Sequence, residues 1–116
     1  MPKTKRKPNS FGDGLLDVYG PEVPTNEFGA RENPGVSGRQ HRGKLWFREC
    51  SIRQQDMEAA IQQGYDLKLK VAVHRVGWLD ASCMLVVNGL AYGIAHLDAS
   101  DPYAMYAYLE GGYAIG

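Results

Sequence analysis

The sequence holds only two cysteines and contains no apolar run of the ~18–20 residues that a membrane span requires. Cys50 and Cys83 are far apart and form neither a CxxC motif nor a metal-ligand spacing. Buried, reduced thiols in a protein made in a cytoplasm are therefore expected. The amino terminus is charged and lacks an apolar segment, so we predict neither a secretory signal nor a membrane partner.

The usual signatures of catalysis and cofactor binding are missing as well. His41, His74 and His96 are scattered without the spacing of a metal-binding pair. No serine stands in a nucleophile elbow, and the glycines form neither a GxGxxG motif nor a P-loop. Asp98 and Asp101 flank a proline-containing turn, and turn chemistry accounts for them. We predict no enzymatic activity, no catalytic residue, no metal and no cofactor.

The formal net charge of the 116 residues is zero, but the charges are unevenly distributed. Up to residue 53 the chain has ten basic and six acidic side chains, and beyond it three and seven. Two halves of opposite net charge favour head-to-tail or layered contacts between charged partners. Solvated faces without a partner are the plainer interpretation, and composition does not decide between them.

Residues 1–10 have the composition of an extended arm. Four cations stand between two prolines, and no apolar group accompanies them: Lys3, Lys5, Arg6 and Lys7. The arm is predicted to bind a partner, and either a protein surface or the phosphates of a nucleic acid would suit it. A simple contribution to solubility remains the alternative.

Residues 20–42 are predicted to form a long internal loop, because they are rich in proline and glycine and show no hydrophobic period. Fixing a loop of that length costs roughly 1–2 kcal/mol per residue in backbone entropy. Its few large apolar side chains do not offset this cost. We therefore expect it to contact neighbouring subunits, with Arg31, Arg39 and Arg42 as charged handles.

Residues 11–110 are predicted to form one mainly β domain, a small antiparallel barrel with one short helix, followed by a tail at 111–116. Tyr65 to His74 alternate with period two, and Asn88-Gly89 is the favoured turn of a two-residue hairpin. The remaining elements are expected at Leu15 to Tyr19, Lys44 to Ile52, a helix capped by Asp56 and stopped by Gly64, and Ala104 to Glu110.

Strand alternation and hairpin register together predict the core. Lys70 and Ala72 fall on the opposite, polar face of their strand, and the helix is expected to dock through Met57, Ala60 and Ile61. The hairpin is apolar on its second face too, so it needs cover on both sides. The core side chains are predicted to be Tyr65, Leu67, Leu69, Val71, Val73, Cys83, Leu85, Val87, Tyr92 and Ile94.

The order of these elements resembles the small head-closure, or stopper, proteins of long-tailed bacteriophages. The resemblance begins at Phe11-Gly12-Asp13-Gly14 and the strand after it, and continues through residues 44–49, 53–60 and 64–73. It ends with the Asn88-Gly89 hairpin and Tyr106-Ala107-Tyr108-Leu109. The likeness extends over most of residues 11–110 as a diffuse pattern.

The resemblance implies a compact β-barrel that forms a homo-oligomeric ring in the virion, at the head–tail junction. Its partners would be the portal or adaptor protein, a tail terminator or tail tube protein, and the packaged DNA in the channel. Residues 20–42 match the channel loop by position, which makes Arg31, Arg39, His41 and Arg42 the DNA-proximal residues. A portal-proximal adaptor and a small nucleic-acid-binding barrel are the alternatives.

Overall fold

The computed structural model of the chain describes residues 11–22 and 39–114, which form a closed antiparallel barrel of six strands with one helix on its outside. The mainly β fold with a single short helix is therefore confirmed for these residues. The order around the barrel is β1-β2-β3-β6-β5-β4. The elements are β1 (Gly14–Glu22), β2 (Arg39–Glu49), α1 (Gln54–Gln63), β3 (Leu69–His74), β4 (Met84–Val87), β5 (Leu90–Asp98) and β6 (Ala104–Ala114).

Alternate residues of every strand fill the interior, because successive side chains of a strand point to opposite faces. The predicted core is confirmed at Val71, Val73 and Leu85, all of which are fully buried. Leu69 and Tyr92 are only partly buried and pack against this core from its margin. The complete interior cluster is Leu16, Val18, Phe47, Val71, Val73, Leu79, Cys83, Leu85, Val87, Ile94, Met105, Ala107 and Leu109.

The Asn88-Gly89 hairpin has the predicted register. Asn88 and Gly89 have φ values of 52° and 83°, the left-handed backbone that a type I′ turn requires at both positions. Leu85 consequently lies opposite Tyr92. The second face of the hairpin carries a separate buried cluster on the outside of the barrel, with Tyr19 packed against it: Met84, Val86 and Ala91.

Strands β1, β2 and β6 each reach further at one end than the sequence predicts, whereas β3 begins at Leu69 instead of Tyr65 and β2 ends at Glu49 instead of Ile52. β1 continues to Glu22 and β2 begins at Arg39, so residues 20–22 and 39–42 belong to a strand pair rather than to a loop. The register shift between Tyr19 and Glu22 accommodates Gly20-Pro21, a pair that usually interrupts a strand, and a second shift lies between Val18 and Tyr19. β6 likewise runs through residues 111–114, the start of the predicted tail. The arm at 1–10 and residues 23–38 lie outside the described residues.

The helix begins and docks differently from its prediction. Arg53 is the N-cap residue, and Asp56 stands three positions later, where its carboxylate accepts a 2.9 Å hydrogen bond from the Arg53 backbone N–H. Gly64 stops the helix as predicted, with φ at 82°. Of the expected apolar face only Ala60 is buried, and Ile61 is 75% exposed.

A buried ion pair joins this helix to the outer face of β3. The Lys70 ammonium lies 3.1 Å from an Asp56 carboxylate oxygen, and both side chains are only 7% exposed. The prediction of a polar, solvated face on β3 is therefore wrong at Lys70, and also at Ala72, which is fully buried. The ammonium also lies 5.1 Å from the centre of the Tyr108 ring. A helix with few apolar groups stays in place because its first turn binds a buried cation.

Hydrogen bonds outweigh burial in setting the charge states of this pair. Burial raises the pKa of Asp56, but bonds from the Arg53 N–H and the Lys70 ammonium bring it below its ordinary value. Burial lowers the pKa of Lys70, yet the bond to Asp56 leaves it above its ordinary value. Both groups are therefore charged at neutral pH.

Candidate functional site

Three of the residues predicted to lie on a channel loop are part of strand β2. Arg39, His41 and Arg42 lie at the start of this strand, where Glu22 is opposite Arg39 and Tyr19 is opposite His41, and Arg42 falls at a register shift. Arg31 and the arm cations Lys3, Lys5, Arg6 and Lys7 fall outside the described residues. The structure thus places Arg39, His41 and Arg42 at the end of the β1–β2 strand pair that adjoins residues 23–38. We call this end the hairpin base.

Arg39 and His41 bind β1 side by side. The Arg39 Nη1 donates a 3.0 Å hydrogen bond to the Gly20 carbonyl, and the His41 Nε2 lies 2.9 Å from an Asp17 carboxylate oxygen. Lys44 approaches the same oxygen at 3.3 Å. Burial raises the pKa of Asp17, but the bonds to His41 and Lys44 outweigh it and hold the pKa below its ordinary value. Asp17 is therefore an anion that joins the two strands.

Arg42 fixes the loop between β3 and β4 to the start of β2. Its Nη1 donates to the Trp78 carbonyl at 2.9 Å and to the Cys83 sulfur at 3.3 Å. The Asp80 carboxylate lies 3.8 Å away, and hydrogen bonds from Ser82 keep the pKa of that carboxyl below its ordinary value. Arg42 therefore fixes the position of the β3–β4 loop relative to the start of strand β2.

Strand β2 carries an aromatic residue between two cations on its outer face, which the sequence analysis did not single out. Lys44, Trp46 and Arg48 share that face by alternation, and the Trp46 side chain is 55% exposed. Leu15 lies directly opposite Trp46 on β1 and is exposed as well. Alternation shows which face of β2 Trp46 occupies but not whether that face is covered, and here it stays open.

A cleft of about 460 Å³ lies on the outer face of strands β4, β5 and β6 and is partly open to solvent. Met84 and Gly93 pair across its floor, and Gly93 pairs in turn with Glu110. Its rim includes Asp66, which forms an ion pair of 3.1 Å with Lys68. The full lining is Arg39, Asp66, Lys68, Met84, Gly93, Glu110, Gly111 and Tyr113.

The aromatic residue and the cleft are on opposite flanks of the barrel. In the strand order, β5 stands three places from β2 in either direction. Arg39, at the start of β2, reaches the rim of the cleft, but Trp46 lies further along that strand, and the floor of the cleft belongs to β4 and β5. A knob on one flank and a recess on the other can meet only between two molecules.

The described residues offer little for metal or thiol chemistry. Within residues 11–22 and 39–114, no three histidine, cysteine or acidic side chains come together in a way that could hold a metal ion. Cys50 and Cys83 are unlinked, and burial raises the pKa of the Cys50 thiol. Asp98 and Asp101 accept hydrogen bonds from Ser100 and Tyr103 respectively, which is the turn chemistry predicted for them.

Comparison with known proteins adds no family to this description. No model of a known protein family matches the sequence, and no curated protein is significantly similar to it. The described part of the chain has no helix long and apolar enough to span a bilayer. The interpretation of function therefore rests on the two flanks, the hairpin base and the resemblance in the sequence.

Proposed function

We propose that this chain is a ring-forming head-closure component of a bacteriophage head–tail junction, a structural virion protein without enzymatic activity. Its neighbours in the ring are copies of itself, the portal or adaptor protein lies above it and a tail component below. The observation that carries the proposal is the pair of unlike flanks, with exposed Trp46 on β2 and the cleft on β4 to β6. A barrel of that kind suits repeated side-by-side contact.

Closure of the barrel limits how such a chain can assemble. Each of the six strands pairs with a neighbour on both sides over part of its length, although β2 meets β3 only at Phe47, Arg48 and Glu49. No described strand is unpaired along one whole side, so the proposed contact between copies uses side chains on the outer faces. Exposed aromatic groups beside cations are the kind of side chain that protein interfaces favour.

The base of the β1–β2 hairpin supports a role at the channel. Residues 23–38 connect β1 to β2 along the chain, and the strand ends next to them are held by hydrogen bonds from Arg39 to Gly20 and from Arg42 to Trp78. In the proposed ring this end of the barrel faces the channel, so that Arg39, His41 and Arg42 lie near DNA phosphates. Arg31, which lies outside the described residues, is proposed to contribute to the same basic group.

Deletion of residues 24–38 tests this function. The barrel should remain folded, because the deletion leaves in place the residues through which β1 and β2 pair. Particles assembled with the shortened chain should package DNA but fail to retain it or to join tails. Particle yield, DNA content and tail attachment are read by electron microscopy. Infectious, DNA-filled particles from the shortened chain would exclude the channel role.

A nucleic-acid-binding barrel is the second candidate, and Trp46 is the observation that favours it. Small barrels bind single strands by stacking bases on aromatic groups beside a basic track, and Lys44, Trp46 and Arg48 form such a row. Binding of a single-stranded oligonucleotide to the isolated chain, weakened by salt and lost in Trp46→Ala, would favour this candidate. A portal-proximal adaptor is less well supported, because adaptors are mostly helical and only one helix occurs in the described residues.

A further inference from the structure

We propose that the ring forms by insertion of Trp46 of one copy into the β4–β6 cleft of the next. This inference rests on the proposed function, because it names the contact by which the ring would close. The two surfaces are the knob, meaning Trp46 with Lys44 and Arg48, and the cleft with Met84 and Gly93 on its floor. Both belong to the same chain and lie on opposite flanks.

Size and chemistry match between the two. A buried aromatic side chain removes about 150–250 Å² of surface from water and often dominates an interface. The cleft of about 460 Å³ is within the range of pockets that hold small molecules, so an indole fits. Its floor offers the Met84 thioether, a group that packs well against aromatic rings. Gly93 leaves the recess open, since no atom lies within 4 Å of where a Cβ would be.

Charge favours the same pairing. On the knob, Lys44 and Arg48 are basic. The acids that line the cleft are Asp66 and Glu110. Arg39 and Lys68 also line the cleft, but Arg39 donates to Gly20 and Lys68 pairs with Asp66. Glu110 has no ion pair within the described residues. Lys44 pairs with Asp17 in its own chain, but its side chain is 59% exposed, so it can also approach Glu110 of the next copy.

The placement of the surfaces makes the contact heterologous. A copy whose knob is bound by one neighbour still has an empty cleft for another neighbour. Each contact between two copies therefore leaves one knob and one cleft unoccupied. Contacts of this type close into rings when the rotation between copies is right. An isologous dimer would instead occupy both surfaces at once and stop at two.

Two substitutions each block one of the two contact surfaces, and neither should disturb the fold of the barrel. Trp46→Ala removes the knob, and Gly93→Leu fills the cleft from its open floor in an unstrained strand position. Tyr103→Ala is the control for loss of an exposed aromatic, since Tyr103 is even more exposed and belongs to neither surface. Gly77→Leu is the control for an added side chain, because a Cβ there also meets no atom within 4 Å.

Native mass spectrometry of the purified full-length chains gives the decisive readout, with circular dichroism to confirm that each variant folds. The wild type and both controls should form rings, and Trp46→Ala and Gly93→Leu should each remain monomeric. An equal mixture of the two variants should give a one-to-one dimer and nothing larger. In that dimer the intact Trp46 of one copy enters the intact cleft of the other.

A charge exchange provides a second test. Lys44→Glu should reduce the ring fraction at a given concentration, and Lys44→Glu combined with Glu110→Lys should restore it. Rings that form equally well from Trp46→Ala and Gly93→Leu would overturn this contact and leave the proposed ring standing. A wild type that stays monomeric at every concentration would overturn the ring itself. If only oligonucleotide binding is lost in Trp46→Ala, the residue serves DNA and this contact is wrong.

Discussion

Two outer faces of the barrel are covered in contrasting ways. On β3 the cover is ionic, because helix α1 places Asp56 on the buried Lys70 ammonium. On β4 and β5 the cover is apolar, because Met84, Val86 and Ala91 form a buried cluster beneath Tyr19. The first face is completed by the chain's own helix, whereas the second continues into an open cleft.

Under the proposed function, the difference assigns one outer face of the barrel to folding and the other to assembly. A buried ion pair adds little net stability but strongly penalises any arrangement that leaves one charge alone, so it fixes where the helix lies. An apolar cluster tolerates another apolar group beside it. The ionic face is therefore suited to a permanent internal contact, and the apolar face to a contact with a neighbour.

The largest expected effect comes from breaking the ionic cover on one side only. Asp56→Asn keeps an acceptor for the Arg53 N–H but leaves Lys70 buried without its counter-charge, which should reduce the free energy of unfolding by about 3–5 kcal/mol. Urea denaturation measures it. The double variant Asp56→Leu with Lys70→Met should recover most of the loss, since an apolar pair removes the desolvation cost.

If Asp56→Asn is as stable as the wild type, the helix does not depend on this ion pair. If the double variant is no more stable than Asp56→Asn, the ion pair contributes net stability as well as fixing the position of the helix. The contrast between the two faces is then smaller than described.

Truncating a side chain in either apolar cluster should reduce the free energy of unfolding somewhat less, and by different amounts in the interior and the outer cluster. Leu85→Ala opens a void in the closed interior and should cost about 2–5 kcal/mol. Met84→Ala should cost near the lower end of that range, because the vacated space joins the open cleft and can fill with water. Urea denaturation of both variants compares them. Equal losses would mean that the outer cluster is as closed as the interior.

The two covers should also respond differently to pH. The pKa of Asp56 lies below its ordinary value, so the stability it contributes is complete at neutral pH and is lost as the pH falls through that lowered value, beneath about 4. The raised pKa of Lys70 means that its contribution is lost only as the pH rises above about 10.4. Between these limits the ionic cover should be insensitive to pH.

Acid titration of the Asp56→Leu/Lys70→Met variant isolates this effect, because Asp17, Asp80 and Asp98 also have lowered pKa values and remain in place. Its free energy of unfolding should fall less steeply below pH 4 than that of the wild type. Identical slopes would show that Asp56 gains no stability from its charge.

The smallest expected effect concerns the end of the covering helix. Gly64 has φ at 82°, which a side chain tolerates poorly, so Gly64→Ala should cost about 1 kcal/mol. Gly77→Ala is the matched control and should be neutral or slightly stabilising, because its backbone is not left-handed and space is open around it. Thermal unfolding of both would show whether the helix end contributes to global stability.

The interior of the barrel could be predicted from the sequence, and its outer surface only in part. Period-two alternation identifies Val71, Val73 and Leu85 because a barrel interior accepts apolar groups alone. The burial of Lys70 was missed since alternation shows which face a residue occupies, not what lies above that face. The partner, Asp56, was assigned to the N-cap, and no local pattern distinguishes a capping carboxylate from one that binds a distant ammonium.

The candidate surfaces were harder still. Arg39, His41 and Arg42 were predicted to be DNA-proximal residues of a loop. The strand pairing at this position was not predicted, because Gly20-Pro21 usually interrupts a strand. Trp46 lies in an apolar stretch, and its exposure cannot be read from that pattern. The cleft joins residues from five separate segments, and only the closed strand order brings Asp66 beside Glu110 and Met84. Neither surface has a signature in a single sequence.

Electron microscopy of the purified wild-type chain tests the central claim most directly. A head-closure component that assembles through heterologous contacts should give closed rings of one size with a central channel, at protein concentrations where Trp46→Ala gives only single barrels. Single barrels from the wild type at every concentration, or open filaments in place of rings, would contradict the account.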